Sequence, residues 1–517
     1  MKVYEGKWKI SSRDLFKSAC DHCTRIDMAV AAEVPEVLER VLPFHEDLSK
    51  VVFVQQGNEY ETHVFTQLRG QIGNDFVELE RATMEQTLEL LKSGTPVVAQ
   101  GFLEGTFGAH FWSGYPDLLI RDDFSFENGR LVRVKESTEF PKYAVWDVKA
   151  SNDPDEKYWL QVASYSKVLG EHNLASESDL GIIGKRLQSH RLQRTEALTR
   201  LDQASETLLS RLSLATPENI DVCFIEHWRC ETPSSCTKSN CSFPKHCEHV
   251  FEQEHSLHLL YGRNPVEKMN AAGITSYDDL LVNEDPLWQK SRDWARVLNK
   301  EISSQSPYFE TMPKEQWLAI PEPTSDDLFF DIEWFTPVLE EDPLVFEFGF
   351  VDANENFTSL DGFTREDELP NFKKFVEIAQ SRMDSNPLAR IYHYSNPEVT
   401  YLNKLVAKYD ILHGEVRFLI SRMVDLRKIA TSMIRPGSNG YSIKELERYY
   451  DADIKLNRKA NGVFGGADAM FLFYQVTSLE PSKAEEHMNT IRAYNRDDCL
   501  STKLLRDWLL SIAEPNQ

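Results

Sequence analysis

Two short apolar stretches carry acids where a buried strand ordinarily carries none. In YAVWDVKAS (143–151) side chains alternate between faces, so Tyr143, Val145, Asp147 and Lys149 share one face while Ala144, Trp146 and Val148 share the other. In LFFDIEWF (328–335) the same alternation sets Asp331 and Glu333 beside Phe329 and sends Leu328, Phe330 and Ile332 to the opposite side. Both runs have the length and the aliphatic and aromatic content of strands fit for burial. A carboxylate in such a place is costly unless it is paired or binds something. Each run therefore marks an α/β unit built around a charged strand.

Around the first strand, GYPDLLI places Asp117 directly after Pro116 at the start of another strand-like run. Two carboxylates and a lysine are what metal-dependent phosphodiester hydrolysis requires. The acids hold Mg²⁺ or Mn²⁺, which activates water and polarises the phosphate, and the lysine offsets developing charge. Glu61 lies in a helical pattern, NEYETHVFTQL, three and four residues before Val64 and Phe65 on the apolar side. Gln161 and Tyr165, four apart in YWLQVASYSKVL, share a helix face and could both reach a nucleic-acid backbone.

Around the second strand, RIYHYSNPEVTYLNKL reads as a strand followed by Asn396 as helix cap, Pro397 at the first helical position and Glu398 in the first turn. Taken alone, Glu398 is explained by its favourable interaction with the helix dipole. MNTIRAYNRDDCLSTKLLRDWLL is an amphipathic helix in which Tyr494 and Asp498 share the apolar face with Ile491 and Leu505. Asp497 points elsewhere, as a solvated acid, and Asp425 in VDLRK reads as structural.

Five of the eight cysteines (Cys223, Cys230, Cys236, Cys241, Cys247) lie within 25 residues; Cys20 and Cys23 are near the N-terminus and Cys499 is isolated. In a reducing cytoplasm such a cluster suggests metal rather than disulfides. Zinc or an iron–sulfur cluster needs four thiolates, which leaves Cys230 or Cys20 to join the trio Cys236, Cys241 and Cys247. His22, beside Cys20, reads as an ordinary helical side chain.

The chain has 517 residues, enough for several domains. Residues 1–260 form one unit with the cysteine cluster, and 183–212 read as one or two long amphipathic helices. Residues 261–302 form a helical connector, in which Gly273 can end one helix and Ser276 with Asp279 can cap the next. That passage, AAGITSYDDLL, is either a capped helical hairpin or a helix-hairpin contact to DNA. Residues 303–327 read as a linker and 328–517 as the second unit. No apolar run approaches the roughly 20 residues of a membrane span, and the polar N-terminus is unlike a signal peptide, so the expectation is a cytoplasmic protein with no membrane partner.

In combination, Asp117 at a PD, Asp147-Val148-Lys149 at a (D/E)xK and Gln161 to Tyr165 at a QxxxY resemble the RecB-like branch of the PD-(D/E)xK nucleases. That resemblance implies a restriction-endonuclease-like α/β domain with Glu61, Asp117 and Asp147 as metal ligands, and with Lys149, Gln161 and Tyr165 in the site. Relatives including AddB and the CRISPR adaptation exonucleases hold a [4Fe–4S] cluster on one cysteine before the nuclease core and three after it. Cys20, Cys236, Cys241 and Cys247 fit that layout as cofactor ligands. The four-residue gap between Cys236 and Cys241 is wider than usual, which keeps Cys230 or Cys223 as substitutes and zinc as an alternative.

Strand D-x-E, an acid at the head of a helix and a helical Tyr-x-x-x-Asp resemble the DEDD exonucleases of the ribonuclease-H-like (DnaQ-like) class. Carried over, Asp331, Glu333, Glu398 and Asp498 bind two metals roughly 4 Å apart, and Tyr494 positions or deprotonates the attacking water. Glu398 departs from the usual Asp. The whole chain, including EHSLHLLYG, YHYSNPE, YSIKELE and YNRDDCLSTKLLRDWL, resembles a bacterial family of RecB-like nucleases with a C-terminal ribonuclease-H-like domain.

The implied function is metal-dependent cleavage of nucleic acid, DNA in preference to RNA, as an exonuclease acting on single strands or ends in repair or defence, with a helicase or repair partner unidentified. The alternatives are that only the N-terminal module is active, or that degenerate nuclease folds form a non-catalytic nucleic-acid-binding scaffold. A net charge of −25 argues against substrate held by bulk electrostatics. Bound divalent cations would reverse the field locally. Weak binding without metal is expected, through basic residues such as Lys185, Arg186, Arg191 and Arg194.

Overall fold

The computed structural model describes residues 1–17, 20–41, 48–136, 139–226, 242–260, 266–340, 342–438, 440–450, 455–456, 458, 465–476 and 479–513. The chain is mixed α/β and divides into two compact units, 1–47 with 53–254, and 48–52 with 255–517.

The first unit is organised by six strands, β1 (Phe76–Glu78), β2 (Val97–Ala99), β3 (Leu118–Arg121), β4 (Tyr143–Val148), β5 (Leu180–Ile183) and β6 (Ser189–Leu192). They lie in the spatial order β6-β5-β4-β3-β2-β1. Strand β4 runs antiparallel to β3 and parallel to β5. The parallel step needs a crossover, which helix α3 supplies. The helices used below are α1 (Asp21–Ala31), α2 (Leu48–Ile72), α3 (Glu156–Glu171), α4 (Arg194–Leu212) and α5 (Pro244–Gln253). Every residue of β4 is buried, as befits a central strand covered on both faces. A separate four-stranded sheet gathers residues 2–4, 7–10, 103–107 and 110–114.

The expectation of helix over 183–212 fails at its start. Residues 189–192 form β6, antiparallel to β5, and helix begins only at Arg194. An edge strand has one pairing partner and a polar outer side, so SHRL lacks the apolar alternation that would reveal it.

The second unit contains β7 (Phe309–Thr311), β8 (Leu328–Phe335), β9 (Leu344–Asp352), β10 (Phe357–Asp361), β11 (Ile391–His393), β12 (Met423–Asp425) and β13 (Ile434–Pro436). Five of them form a mixed sheet in the order β10-β9-β8-β11-β12. Strands β9 and β10 form an antiparallel run with β8, while β11 and β12 continue parallel. The helices here are α6 (Tyr277–Val282), α7 (Gln289–Ser304), α8 (Arg365–Ser385), α9 (Pro397–Tyr409), α10 (His413–Arg422), α11 (Leu426–Met433), α12 (Gly466–Val476) and α13 (Pro481–Ala513). One face of the sheet packs Leu328, Phe330, Ile332, Phe348 and Phe350 on Phe372 and Phe375 of α8. The opposite face packs Phe329, Val351 and Tyr392 with Leu500, Leu505 and Leu509 of α13.

Residues 303–327, read from the sequence as a linker, are built into this unit. Strand β7 pairs antiparallel with β13, and Phe309, Trp317 and Ile320 pack on the core. Spaced apolar residues among prolines and serines give no periodicity, so only pairing with a strand over a hundred residues later reveals their place. The capping expectation at Ser276 holds: Ser276 accepts from the Asp279 backbone N–H, and Asp279 accepts from that of Ser276. Gly273 has φ +78 at the preceding turn.

Candidate active sites

In the first unit, antiparallel pairing of β3 with β4 brings together acids thirty residues apart in sequence. The Val148 backbone N–H donates to Asp117 Oδ2 at 2.8 Å. Lys149 Nζ lies 2.6 Å from Asp147 Oδ2 and 3.3 Å from Asp117 Oδ2. Gln161 of α3 donates to Asp147 Oδ1 at 3.2 Å. Glu61 of α2 accepts from Gln100, whose backbone N–H in turn donates to the Asp117 carbonyl at 3.1 Å. Burial, and then the Asp117 charge, pushes the Glu61 carboxyl up to about 7. Burial and Asp117 likewise raise Asp147 well above the carboxylate range. Burial alone would lower the Lys149 ammonium, but Asp117 and Asp147 outweigh it and hold the group above its ordinary value. Glu61, Asp117, Asp147, Lys149 and Gln161 thus form one connected cluster.

Tyr165 lies on the same helix, one turn beyond Gln161. It is 4% exposed and its hydroxyl donates to the Tyr115 carbonyl at 3.0 Å, which braces the turn that presents Asp117. Among the four basic residues expected on a binding surface, Arg194 is turned inward to Ser166 Oγ at 2.9 Å, while Arg186 is exposed. Tyr60 fastens the loop that carries Lys185 and Arg186, donating to the Gly184 carbonyl at 2.5 Å and accepting from the Leu187 N–H at 3.0 Å.

Of the cysteines, Cys20 and Cys247 are buried and Cys223 is exposed. Cys230, Cys236 and Cys241 lie outside the described residues. The His22 and His246 rings stack with centroids 6.4 Å apart, which joins α1 to α5 and brings the neighbours of Cys20 and Cys247 together. His22, expected to be an ordinary helical side chain, is buried, and neither ring nitrogen has a hydrogen-bond partner among the described residues.

In the second unit, β8 supplies Asp331 and Glu333 and α13 supplies Asp498, with one oxygen of each lying within 4.8 Å of the others. Glu398, in the first turn of α9, is 2% exposed and lies against His393 Nδ1 at 3.1 Å. Its charge is among those that raise the Asp331 carboxyl. Asn396 precedes the helix as expected, but its side chain makes no cap bond and donates to Thr400 Oγ1 at 3.2 Å.

Burial, and then the charges of Glu333, Asp498 and Glu398, hold the Asp331 carboxyl well above its ordinary range. Burial and Asp498 do the same to Glu333. Crowded carboxylates in a site of this kind are a hard-oxygen donor set suited to Mg²⁺ or Mn²⁺. Tyr494 lies one helical turn before Asp498, and Lys444 Nζ donates to its hydroxyl at 3.1 Å. Arg458 Nη2 is 2.7 Å from Asp498 Oδ1.

The sequence reading missed several of these neighbours. Asn495, fully buried, donates to Asp331 Oδ2 at 3.0 Å. Gly349 of β9 leaves room for it, since a Cβ there would fall 1.6 Å from Asn495 Oδ1. His393, Lys444 and Arg458 gave no signal because a lone His, Lys or Arg is common on any surface. Glu347 could have been noticed: FEFGF puts an acid in an apolar strand, and it pairs directly across from Glu333. Asp497, expected to be solvated, is 1% exposed and paired with Arg496 at 3.1 Å. Helix α13 is buried on more than one face, Asn495, Ser501, Thr502 and Arg506 being enclosed as well, so a single apolar stripe does not describe it. Asp425 is structural, capping α11 through the Arg427 and Lys428 N–H groups.

A mixed sheet backed by helices, with D-x-E on its central strand and a Tyr-x-x-x-Asp helix across it, defines a domain of the ribonuclease H class. Residues 328–510 match the family RNase_H_2 of the RNase H superfamily. Neither the curated proteins nor the solved structures contain a match to the chain. The C-terminal unit therefore carries a nuclease-like domain, and nuclease action implies a nucleic-acid substrate. No described helix is long and apolar enough to cross a membrane.

Proposed function

We propose that this protein is a divalent-metal-dependent nuclease with two hydrolytic sites, acting on DNA as an exonuclease that trims single strands or ends. The observation that carries the reading is the convergence of Asp331, Glu333 and Asp498 within 4.8 Å in a domain of the RNase H superfamily. Asp331, Glu333, Glu398 and Asp498 would hold Mg²⁺ or Mn²⁺, which when bound polarises the phosphate and activates water. Glu398 would take the fourth position despite its extra methylene, its buried carboxylate being held by His393 at 3.1 Å. Tyr494 would position or deprotonate the attacking water, its phenol held above the ordinary value by burial and then Asp498. Lys444, donating to the Tyr494 hydroxyl, fixes its direction.

The N-terminal module is read as a RecB-like PD-(D/E)xK nuclease with Glu61, Asp117 and Asp147 as ligands. In support, helix α2 with Glu61 is followed by antiparallel β2, β3 and β4, then α3 with Gln161 and Tyr165, then parallel β5. Lys149 offsets charge on the phosphate, and Gln161 holds Asp147 in place. Cys20 and Cys247 with Cys236 and Cys241 would hold a [4Fe–4S] cluster, or zinc with Cys230 as a substitute. A role in repair or defence, a cytoplasmic setting and an undefined helicase or repair partner complete the reading.

The test is digestion of labelled single- and double-stranded DNA and RNA with Mg²⁺ or Mn²⁺ by the wild type, Asp147→Ala and Asp331→Ala. Each variant is expected to lose one component of cleavage. Full activity in both would overturn the two assignments.

A further inference from the structure

Arg458 joins two acids of the C-terminal unit in a way that its anchoring alone does not require. Its Nε lies 3.0 Å from Glu447 Oε1 and 2.8 Å from Oε2, and Nη2 also reaches Glu447. Ser501 Oγ donates to the same carboxylate at 2.7 Å, so Glu447 is well supplied and does not require the guanidinium to reach further. Yet Nη2 extends to Asp498 Oδ1 at 2.7 Å. The remaining nitrogen, Nη1, is buried and has no hydrogen-bond partner among the described residues. A buried donor without an acceptor is costly, and a catalytic role is one of the few reasons such a group persists.

Asp498 is one of the three acids that converge within 4.8 Å. A guanidinium at 2.7 Å gives it the positive charge that a divalent cation would otherwise give. The arginine and the cation therefore compete for one carboxylate. When the cation takes Asp498, Arg458 remains tethered to Glu447 through Nε, which leaves Nη2, released from Asp498, and Nη1, unpartnered among the described residues, to turn to another acceptor. That fork matches two oxygens of a phosphate diester in a way no ammonium can.

We propose that Arg458 exchanges Asp498 for the substrate's backbone phosphate when the C-terminal acids take up their cation. The exchange couples metal loading to substrate grip: before loading, the arginine neutralises Asp498, and after it the same charge is released to the nucleic acid. The proposal rests on the nuclease reading of the C-terminal site.

The test uses the full chain with Asp147→Asn silencing the N-terminal site. Mn²⁺ binding is followed by electron paramagnetic resonance, alongside cleavage of a labelled oligonucleotide. Arg458→Gln is expected to bind Mn²⁺ about tenfold more tightly, because its competitor is gone, while cleaving on the order of 100-fold more slowly. Arg458→Lys keeps a cation near Asp498 and is expected to bind Mn²⁺ within about twofold of the parent, yet cleave slowly for want of the bidentate fork. A merely structural arginine would make Arg458→Gln lose Mn²⁺ affinity and activity together, and that result overturns the proposal. Unchanged Mn²⁺ affinity in Arg458→Gln, with binding abolished by Asp331→Asn, overturns the exchange and leaves the metal site standing. Cleavage by Arg458→Lys at the parent rate overturns the phosphate role. Absence of Mn²⁺ binding that depends on Asp331 overturns the nuclease reading and this proposal with it.

Discussion

Asn495 donates from Nδ2 to Asp331 Oδ2 across 3.0 Å, held over Gly349 by a contact that leaves no space for a methyl group. The carboxylate that leads the acid cluster is thus positioned by a helix whose approach depends on a glycine in the neighbouring strand. Gly349→Ala should expel the Asn495 side chain and cost about 1–3 kcal/mol through overpacking. Thermal unfolding would report the loss, and cleavage by the C-terminal site should fall with it. A variant as stable and active as the wild type would show that Asn495 is not needed to place Asp331.

Cations should stabilise this unit. Asp331 is held above its ordinary range by burial and then Glu333, and Glu333 by burial and then Asp498, so Asp331→Asn is expected to raise the metal-free melting temperature. In the wild type, Mn²⁺ at a hundredfold excess over its dissociation constant should add about 2.7 kcal/mol, and Asp331→Asn should lose that gain. Calorimetry with and without Mn²⁺ distinguishes the outcomes, and an equal gain in both proteins would place the cation elsewhere.

Glu347 gives a pH signature. Burial pushes its carboxyl from 4.5 up to about 8, with Ser359 as hydrogen-bond donor to one oxygen at 2.8 Å. The native state keeps this proton at pH values where the unfolded chain has lost it. The stability it contributes is therefore complete below about 4.5 and is lost as pH rises toward about 8. Glu347→Gln removes the dependence, so its urea midpoint relative to wild type should improve steadily from pH 5 to pH 8.5. A pH-independent difference between the two proteins would contradict this.

Lys149 lies between Asp147, 1% exposed, and Asp117, 8% exposed. Lys149→Met leaves both acids without their cation and should cost about 3–5 kcal/mol, as for other broken buried pairs. Adding Asp147→Asn should recover part of that loss while N-terminal cleavage stays absent. Urea unfolding of the two single variants and the double variant measures the coupling, and strict additivity would mean that the pair is not coupled.

Cys20 is the cysteine whose proposed role is most exposed to test. Anaerobically purified wild type is expected to be brown and to contain iron and sulfide, and Cys20→Ser should lose both. One zinc in a colourless wild type would replace the iron–sulfur assignment with a zinc site.

Much of each site was legible in local sequence. The alternation in LFFDIEWF fixed which face Asp331 and Glu333 occupy, and β8 follows it with a bulge only between Glu333 and Trp334. The four-residue spacing of Tyr494 and Asp498 put both on one side of α13, and the Ser276 and Asp279 pair announced a capped helix start. Errors fell where burial depends on distant partners. A single apolar stripe predicts a solvated Asp497, whereas α13 is enclosed on several faces. Residues 303–327 look like a linker in local sequence because the strand within them pairs only with the distant residues 434–436.

The sequence by itself determined where charged side chains interrupt apolar strands and helices, because side-chain direction follows from the two- and 3.6-residue periods of the backbone. Only the tertiary structure decided which groups those charges meet. Asn495 reaches Asp331, Arg458 reaches Asp498 and His393 turns Glu398 inward through packing of separate elements, and in the first unit β3 against β4 sets Asp117 beside Lys149. Periodicity assigns a direction to each residue along one element, but the neighbours that set its charge state and its use come from contacts across the fold.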